Sequence, residues 1–135
     1  MIKCIKFTGK DKNIIKDLQK VWLSKYRLEV IEEVFNEKDI YNYSLYEEDK
    51  VVGLIRYKLE NNSIRFLDTY FTEDKYLLNA VDCMFKLISK NNCSKVELEN
   101  GVDKRITDII DKYGSQNGTD FEMKIGDFID KLSEE

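Results

Sequence analysis

Between Tyr41 and Phe71 the chain carries three runs rich in Val, Ile, Tyr and Phe: YNYSLY, VVGLIRYKL and IRFLDTYF. Only EEDK and ENNS separate them. Connections this short can join only antiparallel neighbours, so the spacing predicts a meander with strands over 42–47, 51–59 and 63–71. Asn, Asp and Ser in the connections suit tight reversals, because their side chains bond the nearby backbone. From Lys75 the period changes. Leu77, Val81, Met84, Phe85 and Ile88 share one helical face and Asn79, Asp82, Lys86 and Ser89 the opposite one, which predicts a helix over 75–90.

The flanks fill in the order. Ile2 to Phe7 reads as a strand ending at Thr8-Gly9, followed by a helix from about Asp11 with Ile14, Leu18, Trp22 and Tyr26 on one stripe. Val30, Ile31, Val34 and Phe35 fall out of that phase, so the stretch is two helices or one kinked helix, changing near Lys25–Leu28. After NNCS, KVELE over 95–99 reads as a strand, and Val102, Ile106, Ile109, Ile110 and Tyr113 mark a helix stopping at Gly114. Phe121, Met123 and Ile125 alternate as a last strand, and Phe128, Ile129 and Leu132 suggest a short terminal helix. The order is β-α-α-β-β-β-α-β-α-β plus that helix. Its strand-helix-strand units need parallel pairing through a crossover. The expected class is α/β (α+β): one domain, 1–135, with a mixed sheet and helices on both faces.

Composition removes several classes of function. The chain has no histidine, so Ser-His-Asp and Cys-His catalysis are excluded and a typical zinc site has no imidazole ligand; no metal is expected. No apolar run approaches the roughly 20 residues a bilayer needs, and the N-terminus lacks an uninterrupted apolar core, so neither a span nor a signal peptide is expected. Cys4, Cys83 and Cys93 are odd in number and unpaired in spacing, which predicts reduced thiols and a cytoplasmic protein. Net charge is −4, yet residues 1–27 carry eight Lys/Arg against Asp11 and Asp17. That basic third lacks the interleaved aromatics of single-strand binders, so it reads as a solvated face rather than a nucleic-acid site.

The order of elements, with KVVGLIRY (its Val52-Gly53 step), RFLDTYFTEDKY and ITDIIDKYG in sequence, resembles the GNAT superfamily of acyl-CoA-dependent N-acyltransferases over nearly the whole chain. The resemblance implies acetyl-CoA as donor and an amine as acceptor. It also implies a phosphate-binding motif, Arg/Gln-x-x-Gly-x-Gly/Ala, before the third helix; here that motif falls on Lys75-Tyr76-Leu77-Leu78-Asn79-Ala80. Cofactor-binding residues implied in this way are Tyr70, Phe71, Lys75, Leu78, Asn79 and Ala80. Leu78 stands where the family has its central glycine, and Ile110 and Ser115 stand where it has a Tyr and a Phe. The bland alternative for this junction is a helix start capped by Thr72, with Glu73 and Asp74 in its first turn.

Asp68 is the candidate catalytic base. It interrupts the apolar alternation Ile64, Phe66, Asp68, Tyr70, and a carboxylate on such a face can take a proton. Its structural alternative is a β-bulge acid turned to solvent. Trp22, Tyr26 and Phe35 line an acceptor groove if the resemblance carries over, and are core aromatics otherwise. Two functions follow: an N-acetyltransferase with a degenerate donor loop, or a non-catalytic module of the same fold that binds a protein partner. A different mixed-sheet domain is the third option.

Overall fold

The computed structural model describes residues 1–113, 115–117 and 120–122, those from 110 onward by backbone alone. In chain order the elements are β1 (Ile2–Phe7), α1 (Lys12–Val21), α2 (Leu28–Phe35), β2 (Tyr41–Glu47), β3 (Lys50–Glu60), β4 (Ser63–Phe71), a 3₁₀ turn (Asp74–Tyr76), α3 (Leu77–Lys90), β5 (Lys95–Val102), α4 (Lys104–Tyr113), β6 (Ser115–Asn117) and β7 (Asp120–Glu122). The strands form one sheet in the order β1-β2-β3-β4-β5-β7-β6. β1 to β4 pair antiparallel in sequence order. β5 joins parallel to β4 from Ser63–Lys95 to Thr69–Val102, and α3 is the connection between them. The meander and the crossover are therefore as the sequence predicts.

Helices cover both faces. On one, Ile55, Ile64, Phe66 and Phe71 of the sheet pack against Ala80, Val81, Met84, Phe85 and Ile88 of α3, all buried. On the other, Phe7, Tyr46, Val51 and Leu54 meet Ile15 and Leu18 of α1 and Ile31 and Phe35 of α2. Asn42 ties the second layer down: its side-chain amide donates to the Phe35 carbonyl at 3.0 Å. The meander tyrosines serve packing. Tyr41 and Tyr43 stack on Tyr57 at 5.2 and 6.1 Å, and the Tyr46 hydroxyl donates to Asp17 at 2.7 Å.

Four expectations change. Val102 ends β5 instead of opening a helix, because its N-terminal neighbours continue the ladder with β4. Ser115–Asn117, which lies outside every expected element, forms β6 paired to β7. Cys4 of β1 and Cys83 of α3 are joined in a disulfide, with Cα atoms 6.8 Å apart, so only Cys93 is a free thiol. Sequence separation hid that pair, since the two cysteines are 79 positions apart and only the sheet's edge brings them together. The argument from reduced thiols to a cytoplasmic location falls with it. Fourth, Thr72 does not cap a helix: its N–H stays in the sheet, and no side chain caps the 3₁₀ turn or α3. No helix among the described residues is long and apolar enough to cross a membrane. The predicted stop at Gly114, the end of the last strand beyond Glu122, and the terminal helix around Phe128, Ile129 and Leu132 lie outside the described residues.

A candidate acceptor cleft beside the β4–α3 junction

One residue organises the site. A regular β3–β4 hairpin, registered by Glu60–Ser63 and Tyr57–Phe66, would set Leu67 opposite Arg56; instead the ladder resumes with Arg56 opposite Asp68. Leu67 is thus an extra residue in β4, a bulge of the kind that re-aims the side chains after it. Ile64 and Phe66 lie on the α3 face, as do Thr69 and Phe71, whereas Asp68 and Tyr70 are turned to the α1–α2 face. The expected common face for Ile64, Phe66, Asp68 and Tyr70 does not exist. Asp68 does not simply point to solvent either.

It lies in a cleft of about 520 Å³ between the sheet and the first two helices. Trp22, Leu23 and Tyr26 lie in the connection after α1, because the helix stops at Val21, short of the expected stripe. With Val30 and Val34 of α2, and Leu54 and Tyr70 of the sheet, they form the cleft's apolar walls. On its floor Arg56 donates to Asp68 Oδ2 at 2.8 Å, to Asn42 Oδ1 at 3.1 Å and to the Val34 carbonyl at 3.3 Å. One guanidinium therefore holds β2, β4 and α2 in a single arrangement. Burial, then the neighbouring Asp68 charge, raises the Tyr70 phenol above its ordinary value, so it stays protonated at neutral pH. Trp22 stands over it with ring centroids 6.4 Å apart. Phe35 is buried in the core and also lines the cleft beneath Arg56, whose guanidinium lies 5.3 Å from its ring centroid.

Gly101 is the hidden requirement of this floor. A Cβ there would run into the Leu67 carbonyl oxygen and Asp68 Oδ1, so β5 can pair alongside the bulge only without a side chain at this position.

Past β4 the chain stays extended through Glu73 (φ −143°, ψ 152°) before the 3₁₀ turn. Thr72 is not the cap: its N–H donates to the Val52 carbonyl at 3.0 Å, and its buried hydroxyl has no partner among the described residues. No side chain caps the 3₁₀ turn or α3. Asp74 is drawn off by Arg105 at 2.7 Å, which also bonds Asp103 and the Phe71 carbonyl and lies 3.8 Å over the Phe71 ring. Hydrogen bonding from Arg105 holds the Asp103 carboxyl below the usual carboxylate range. Lys75 is exposed, 4.0 Å from Glu73. Leu78 (54 % exposed) and Asn79 face outward, while Ala80 is fully buried. The structure thus puts Lys75, Leu78 and Asn79 together on the open helix start. Tyr70 lies in the cleft, and Phe71 lies beneath Arg105.

Arg56, Gly101 and Arg105 are absent from the sequence reading. A signal for the first existed, since Arg56 and Asp68 are opposite charges set in largely apolar stretches of adjacent strands. The bulge displaced their register by one residue.

No protein-family model and no curated protein matches the sequence. Solved structures do match. A ribosomal-protein-alanine N-acetyltransferase from Brucella melitensis superposes with TM-score 0.66 at 11 % identity, over 87 % of this chain and 94 % of its own. The PaiA N-acetyltransferase of Thermoplasma acidophilum, solved in complex with coenzyme A, gives TM-score 0.52 at 17 % identity, over 90 % and 96 %. An integron cassette protein from the mobile metagenome of V. cholerae gives 0.63 at 11 %, over 99 % and 98 %. At these identities the likeness establishes the fold: this chain has the fold of the GNAT N-acetyltransferases.

Proposed function

From that fold, we propose that this protein transfers an acyl group from a coenzyme A thioester to an amine held in the α1–α2 cleft. The observation that carries the reading is the bulge at Leu67, which turns Asp68 and Tyr70 into an apolar cleft within a few residues of the uncapped start of α3. The residues at that start suit the donor. Lys75 supplies an exposed positive charge, the first turn carries no side-chain cap, and Asp74 is engaged by Arg105, which also pairs with Asp103. Lys75, the backbone around Leu78 and Asn79, and the end of β4 at Tyr70 and Phe71 would hold coenzyme A, which supplies an acyl group on a good thiolate leaving group.

Asp68 then receives the proton that the amine nitrogen loses as the C–N bond forms and the C–S bond breaks. Arg56 fixes the orientation of that carboxylate. Tyr70, kept protonated, offers a hydrogen bond to the acceptor. The apolar walls exclude water, which competes with the amine for the acyl group.

Release of free thiol from acetyl-CoA in the presence of amines tests this. Asp68→Asn is expected to slow release by about 10²–10⁴-fold, the usual contribution of a positioned proton acceptor. Leu78, with its side chain exposed in the place of the family's central glycine, favours the second reading, a non-catalytic module binding a protein partner. Thiol release no faster than without protein, for every amine tried, would give that reading precedence.

A further inference from the structure

The cleft's own chemistry narrows its ligand. We propose that it takes a primary amine carried on a single aromatic or branched aliphatic body, and discriminates against polycationic amines. This rests on the reading of the cleft as the acceptor site, but not on catalysis. Among the described residues that line it, Asp68 is the one carboxylate, and Arg56 already pairs with it at 2.8 Å. The floor is therefore neutral in sum. A polycation entering would bring several charges into an apolar space with no free acid to meet them, and burying unpaired charge is costly.

An amine with one charge faces a different balance. Its ammonium can lie against the Trp22 and Tyr70 rings, whose faces attract cations, and it loses its first proton to solvent at the open rim before the neutral amine reacts. The body of the amine gains from the walls. Tyr26, Val30, Val34 and Tyr70 are each 38–44 % exposed, an unusual concentration of large apolar side chains at one rim. A volume of about 520 Å³ falls in the range of small-molecule sites, and is ample for a phenyl or branched alkyl group with a short linker. Arg56 holds the floor in place through Asn42 and the Val34 carbonyl, so the cleft does not depend on the ligand to form it.

Trp22 is the only tryptophan in the chain, so its emission reports on the cleft directly. Phenethylamine and spermidine are titrated against the full protein, each with and without coenzyme A. Saturable change in emission is expected with phenethylamine, at least tenfold tighter than with spermidine. Val34→Asp, on the exposed rim, is expected to narrow or reverse that ratio by adding the missing free acid. Trp22→Ala, followed by calorimetry, is expected to weaken phenethylamine at least tenfold. Spermidine binding as tightly as phenethylamine, or neither amine binding, would overturn the proposal. Thiol release is measured alongside. Preference for phenethylamine without thiol release leaves the ligand class standing and removes acyl transfer. Thiol release with spermidine but not phenethylamine does the reverse.

Discussion

Arg56 carries more of the local structure than any other polar residue of the site. Its three hydrogen bonds reach three elements, and its side chain and that of Asp68 are 13 % and 26 % exposed. Replacing it with Met leaves Asp68 Oδ2 and Asn42 Oδ1 without this donor, whereas the Val34 carbonyl keeps the Glu37 N–H, and is expected to lower stability by about 1–3 kcal/mol in denaturant unfolding. Adding Asp68→Leu should recover part of that loss, because it removes the stranded charge. An unchanged midpoint for the single variant would show the pair to be ornamental. The buried tyrosines set the behaviour in alkali. Burial, first, holds Tyr46 and Tyr57 protonated above the ordinary phenol range, and Asp17 adds to the effect at Tyr46. Unfolded, these groups ionise near pH 10. Their contribution is complete below that pH and is lost as pH rises past it, so unfolding midpoints should drop above about pH 10. Tyr46→Phe should flatten the drop.

At the scale of elements, α3 is held to the sheet in two independent ways. Phe85 is 3 % exposed in the interface with the sheet, and Phe85→Ala is expected to cost about 3–5 kcal/mol if the space does not close. A loss below about 1 kcal/mol would mean the layer repacks. The Cys4–Cys83 bond ties the same helix to the edge strand β1, closing a loop across 79 residues. Cys4→Ser should lower stability by about 2–4 kcal/mol without reductant, and reductant should then lower the parent but not the variant. The periodicity of α3 was plain in the sequence, since a 3.6-residue apolar stripe depends only on neighbours along the chain. Its start was not. Thr72 has the composition of a cap, but pairing of its N–H with Val52 keeps it in the sheet, and the helix waits until Leu77.

For the whole molecule, the sheet brings an apolar cleft and an open helix start to the two sides of the end of β4, and the proposed donor site at that start is testable through coenzyme A binding. A ligand that binds only the folded state stabilises it by RT ln(1 + [L]/Kd), about 2.7 kcal/mol at a hundredfold excess over Kd. Coenzyme A should therefore raise the melting temperature, Lys75→Glu should abolish the rise, and Leu78→Gly should enlarge it. A rise unaffected by Lys75→Glu would place the donor elsewhere. The sequence by itself determined the meander, the crossover helix and the helices on both faces, because hydrophobic period and connection length are local quantities. It also placed Asp68 among the candidates. Only the tertiary structure decided which face Asp68 occupies and that Arg56 holds it, and only there do Gly101 beside it in β5 and the Cys4–Cys83 bond appear. Each of these depends on strand register or on contacts between distant segments. A single extra residue in β4 moves that register without leaving a mark in the composition.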